Sequence, residues 1–129
     1  MAWWKRRGRG DGDLDPAIAA AVRAAYQSGA PISEAVARHA AEAGSREGMT
    51  VYGIGLGNRG AFTEAEVWLK RAIDSGDSMA AIALGTMHMD LGDFDRAEQC
   101  FGLAAGAGHP SAGPALSELA RQRRAREGC

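Results

Sequence analysis

Self-similarity at a fixed offset constrains this chain more than any other feature of its sequence. Gly60 and Gly92 lie thirty-two residues apart, as do Phe62 and Phe94, Ala65 and Ala97, and Glu66 and Glu98. The same offset relates Leu69 to Phe101, Ala72 to Ala104 and Gly76 to Gly108. Towards the N-terminus it links Gly85 to Gly53, Ala72 to Ala40 and Gly76 to Gly44. Matches in a single register mean a repeated supersecondary unit that cannot bury its apolar face alone and must stack on a neighbour.

Each unit reads as two helices. Asp77 is placed to cap a helix over 78–90, "LGDF" makes the turn, and Asp95 then caps a second helix to about Gly106. Glu98, three residues on, completes a capping box that Thr63 and Glu66 repeat one unit earlier. The second helices carry apolar stripes at helical spacing, Ala65, Trp68, Leu69 and Ala72, then Ala97, Cys100, Phe101 and Ala104. Gly76 and Gly108 stop them. Upstream, Asp15-Pro16 is a cap and first helical residue for a helix to about Gln27, followed by a second over about 32–43. Pro110 or Pro114 begins a final helix whose end, Arg121 to Glu127, is polar enough to cap a stack. The expected organisation is a basic, Trp-containing tail over 1–13 and a repeat domain over 14–127. Its units run over about 14–45, 46–77 and 78–109, and a capping helix covers 110–127.

Composition agrees with helices throughout. Hydrophobic residues make up 46% of the chain but aromatics only 6%, because alanine supplies much of the apolar count. Val, Ile and Thr are few and scattered, so a sheet has little to be built from. Four cations open the chain and four close it, which leaves seven basic against fifteen acidic residues between Gly10 and Ala120. An acidic body lacks the basic face that phosphate contacts need, so nucleic acid is not an expected partner. Two cysteines, Cys100 and Cys129, make no disulfide framework, and a reducing cytoplasmic setting is the expectation. The charged start "MAWWKRRGRGDGD" is not followed by the apolar run of a signal peptide, and no stretch approaches a membrane span.

The segments "AAIALGTMHMDLGDFDRAEQCFGLAAGAGHP" and "MTVYGIGLGNRGAFTEAEVWLKRAIDSGD" resemble tetratricopeptide and Sel1-like repeats. Leu84-Gly85 matches that family's Leu-Gly of the first helix, with Gly53 one unit earlier. Gly92, Ala97, Phe101, Ala104 and Pro110 match its turn glycine, paired alanines, intervening aromatic and closing proline. His88 and Leu56 stand where a tyrosine is common. The resemblance implies a right-handed α/α superhelical solenoid of about three and a half helix-turn-helix repeats, about seven helices in all. It also implies a non-catalytic scaffold that binds a protein or peptide on a concave face lined by first helices. Transferred by position, that face holds Glu47, Thr50, Ile54 and Asn58. Met79, Ile82, Thr86, Met89 and Asp90 follow, and the last helix adds Glu118, Arg121 and Gln122. Ile82 and Met89 are its apolar anchors. The competing assignment is that several of these side chains only pad the core or face water.

Other features of the sequence bear on chemistry. Gly55, Gly57 and Gly60 have the G-x-G-x-x-G spacing of a dinucleotide-binding turn, the basis of an alternative nucleotide-binding or enzymatic reading. That reading needs a strand before Gly55 and a helix after Gly60. The repeat accounts for Gly53 and Gly60 without it and leaves Gly55 and Gly57 as two helix-weakening residues. Asp90, Asp93, Asp95 and Glu98 lack calcium-loop spacing, so no metal and no cofactor are expected. Cys100 reads as a small core residue, and no nucleophile stands at a recognisable spacing from His39, His88 or His109. No catalysis is expected. For Trp3, Trp4, Lys5, Arg6 and Arg7 three roles stay open: weak contact with an anionic membrane surface, docking on the repeats, or none. A groove of so few units is also compatible with homo-association.

Overall fold

The computed structural model describes residues 14–128, and over these the chain is all-helical, with seven helices and no strand. They are α1 (Pro16–Ser28), α2 (Glu34–Glu42), α3 (Arg46–Asn58), α4 (Phe62–Asp74), α5 (Ser78–Asp90), α6 (Phe94–Gly106) and α7 (Ala112–Glu127). Two compact units form, one ending at Asp77 and the other beginning at Ser78. In the first, α2 packs on α1 and α3, α1 also touches α3, and α3 packs along α4. In the second, α6 packs between α5 and α7, with a lighter α5–α7 contact.

The turns show a shorter period than the repeat. Gly44, Gly60, Gly76, Gly92 and Gly108 follow one another at sixteen-residue steps, and all five have φ between 77 and 93°. In each, the glycine N–H donates to the carbonyl three residues back, and the next N–H donates to the carbonyl five residues before it. Gly60 reaches Gly57 and Ala61 reaches Leu56; Gly92 reaches Met89 and Asp93 reaches His88. This is the Schellman arrangement, which satisfies the last helical carbonyls and needs a left-handed residue that only glycine supplies cheaply. A thirty-two-residue unit is thus two sixteen-residue steps, each a thirteen-residue helix and its turn, closed in the same way.

The caps differ from expectation. Asp93, not Asp95, receives the Arg96 N–H at 3.3 Å and begins α6, so Asp95 lies in the first turn. α4 begins after Ala61 with no side-chain cap, which removes the box assigned to Thr63 and Glu66. The reason is the turn: once Gly60 or Gly92 closes one helix, the next begins two residues later, ahead of the polar residues that look like caps. Ser33 and Ser45 cap α2 and α3, and Asp15 caps α1 as expected, accepting from Ala17 N–H at 2.8 Å.

Small residues let the helices close up. A Cβ on Gly48 would stand 2.7 Å from the Ala40 Cβ, one on Gly53 2.7 Å from Leu69 Cγ, and one on Gly85 2.5 Å from Phe101 Cε1. The last two contacts are the same contact in successive units, since Gly53/Gly85 and Leu69/Phe101 share the thirty-two-residue offset. Leu14, Val22 and Ala40 form one buried cluster of the first unit, where Leu56 and Leu69 are also fully buried; Ala97, Phe101 and Leu119 form a cluster in the second.

Candidate partner-binding surfaces

On α3 the expected binding face divides into two halves of different character. Thr50 is fully buried, and its hydroxyl donates to Asp77 Oδ2 at 2.5 Å, so it offers nothing to a partner. The other Asp77 oxygen accepts from the Tyr26 hydroxyl at 2.8 Å. Burial, then the hydrogen bond to Asp77 and the charges of Asp77 and Glu47, raise the Tyr26 pKa above the ordinary tyrosine value. The hydroxyl therefore stays a donor. Glu47 is partly buried beside this group, and its Oε2 is enclosed without a hydrogen-bond partner among the described residues. Glu47 and Thr50 thus belong to a buried polar cluster tying α1 and α3 to Asp77. One turn further on the face opens. Ile54 is 36% exposed, Asn58 is exposed, and a Cβ on Gly55 would meet nothing within 4 Å.

In the second unit the two anchors are partly buried. Ile82 and Met89 pack against the Ala97–Phe101–Leu119 core, where α7 and Phe94 help to cover them. Both were expected to be free apolar contacts; each is partly buried and packs on that core. Met79 is partly buried. Thr86 is exposed and turns its hydroxyl back to the Ile82 carbonyl at 2.9 Å, while Asp90 is exposed at the end of α5. On α7, Glu118 accepts from Gln122 Nε2 at 2.8 Å and pairs with Arg121. Arg121 remains largely in solvent.

A second surface of the first unit was not foreseen. A hollow of about 710 Å³ lies among α2, the end of α3 and α4. Tyr52 and Trp68 line it, in edge-to-face contact with ring centroids 5.6 Å apart. Around them stand two ion pairs, Arg59 with Glu34 at 2.8 Å and Arg38 with Glu42 at 2.6 Å, and the carboxylate of Glu64. The Glu34-x₃-Arg38-x₃-Glu42 spacing is a legible charged stripe, but nothing in the repeat register says that α4 stands far enough away to leave a gap beside it.

The remaining motifs settle as structure. Gly55 and Gly57 lie inside α3, and the residues before them are helical, so the strand–turn–helix context of a dinucleotide loop is missing. His88 and Cys100 are buried, and His109 accepts the Ser111 N–H through Nδ1 at a turn. Among the described residues no group of three or more His, Cys, Asp or Glu is arranged to hold a metal, and no helix is long and apolar enough to cross a membrane. Trp3, Trp4, Lys5, Arg6 and Arg7 lie outside the described residues. The chain matches no protein-family model, no curated protein and no solved structure.

Proposed function

We propose that the chain is a non-catalytic interaction module of the tetratricopeptide or Sel1-like kind, which takes a protein or peptide segment on a first-helix surface. The observation that carries this reading is the open half of α3. An apolar side chain, Ile54, a stretch of helix backbone bare at Gly55, and the exposed amide of Asn58 share one surface within two turns. Bare backbone permits a partner chain to approach closely, while Ile54 and Asn58 supply an apolar contact and a two-way hydrogen bonder. The contact set is narrower than position alone implies, because Thr50 is fully buried and Ile82 and Met89 are partly buried.

The test is affinity capture with the native chain and an Ile54→Arg variant whose thermal unfolding matches it. Loss of a captured protein from the variant supports the reading. Equal retention on both chains removes this surface from the function. Ile82→Arg and Met89→Arg are unsuitable probes, since charges there disrupt the core of the second unit.

A further inference from the structure

The hollow among α2, the end of α3 and α4 shares no lining residue with Ile54, Gly55 and Asn58, and its chemistry is specific. Each of its two arginines donates to a glutamate: Arg59 gives Glu34 both Nε and Nη2, at 3.0 and 2.8 Å, and Arg38 gives Nε to Glu42. These contacts raise both arginine pKa values. Glu64 is the third carboxylate, close enough to act on both guanidinium groups, yet it forms no ion pair among the described residues. The lining thus holds three carboxylates against two guanidinium groups, with His39 beside them. The same Trp68 already holds one guanidinium, that of Arg71, 4.8 Å from its ring centroid. Aromatic faces attract cations, guanidinium most of all, and a hollow of this size lies in the range of ligand clefts.

We propose that this hollow takes an arginine- or lysine-bearing segment of a partner protein, with Glu64 as the carboxylate that receives the incoming cation and Trp68 as the surface it lies against. A cation fits better than an anion here. An anionic group would have to draw Arg38 and Arg59 from carboxylates they already contact, whereas a cation meets an unpaired carboxylate at once.

The experiment titrates the full-length chain with a fluorescent alternating Gly-Arg peptide and, separately, a Gly-Glu peptide of equal length, following anisotropy at two salt concentrations. The Gly-Arg peptide should bind and weaken with salt, and Glu64→Gln should weaken it roughly tenfold, as losing one charge-assisted contact does. Asp74→Asn removes the same charge from an exposed position on the same helix, outside the hollow, and should leave binding within about twofold of native. Both variants change exposed side chains, and matched thermal unfolding shows that each is folded. Equal loss in the two variants, no loss in Glu64→Gln, or binding of the Gly-Glu peptide overturns the proposal. Binding that appears only after Lys5, Arg6, Arg7 and Arg9 are replaced by glutamine also overturns it, because the chain's own basic segment is then the occupant.

Discussion

Three glycines that look alike in the sequence stand in three physical situations, and alanine at each should give three different results. Gly55 lies within α3 with ordinary helical backbone and open space where a Cβ would point. Alanine there removes backbone entropy from the unfolded chain and should stabilise by about 0.5–1 kcal/mol. Gly60 also has open space, but its φ is 86°, so alanine meets the left-handed penalty and should destabilise by about 1–2 kcal/mol. Gly85 has helical backbone, yet its Cβ would stand 2.5, 2.7 and 3.1 Å from three atoms of the Phe101 ring. Phe101 is fully buried, so the ring has nowhere to swing. Overpacking of this kind costs about 1–3 kcal/mol, against the same helical gain as at Gly55. The gap between Gly55→Ala and Gly85→Ala cancels the propensity term and should therefore be about 1–3 kcal/mol. Urea unfolding followed by far-UV circular dichroism measures all three. Phe101→Leu should also cost less in the Gly85→Ala background than in the native one, because it relieves the clash. If Gly85→Ala proves as stable as Gly55→Ala, the α5–α6 approach is looser than described and the packing argument fails.

Phe101→Ala should destabilise by about 3–5 kcal/mol, since it empties the centre of the second unit's core, and denaturant unfolding reads it directly. Tyr26 gives a pH dependence with a definite sign. Its raised folded pKa means that its stabilisation is whole below about pH 10, the unfolded value, and is lost as pH climbs through the folded one. Thermal unfolding of the native chain should therefore fall more steeply with alkaline pH than that of Tyr26→Phe; parallel curves would contradict the hydrogen bond to Asp77. At neutral pH Tyr26→Phe removes a donor from a buried carboxylate and should cost roughly 1–3 kcal/mol. Arg126 donates to the Gly92 carbonyl at 3.2 Å and lies 5.2 Å from the Phe94 ring centroid. Exposed as it is, Arg126→Ala should cost less than about 1 kcal/mol, and a larger loss in urea unfolding would mean that α7 depends on this contact.

The helices were legible because their signals are local and repeated. Alanine stripes, Asp15-Pro16 and the terminal glycines need no distant partner to act, and α5 and α6 occupy the residues the periodicity marks. Boundaries failed where two local signals competed. At Asp93 and Asp95 either carboxylate can cap, and the preceding glycine turn selects the earlier one. The binding face was less legible, because exposure is not a local property. Ile82 and Met89 have the spacing and chemistry of surface anchors, but Leu116 and Leu119 of α7 share their cluster and cover them. Thr50 looks like a polar groove residue until Asp77, twenty-seven residues later, takes its hydroxyl.

The sequence by itself determined that the chain is helical, where its helices break, and which small residues recur at the same step. Each follows from backbone preference and from a period that a reader can count. Only the tertiary structure decided which side chains remain available. Gly53 and Gly85 are required by Leu69 and Phe101 across the hairpin, while Gly55 is required by nothing in the fold. The hollow at Trp68 lies among residues of α2, the end of α3 and α4, brought together only by packing. Such a gap is a distance between helices, and no spacing along the chain encodes it.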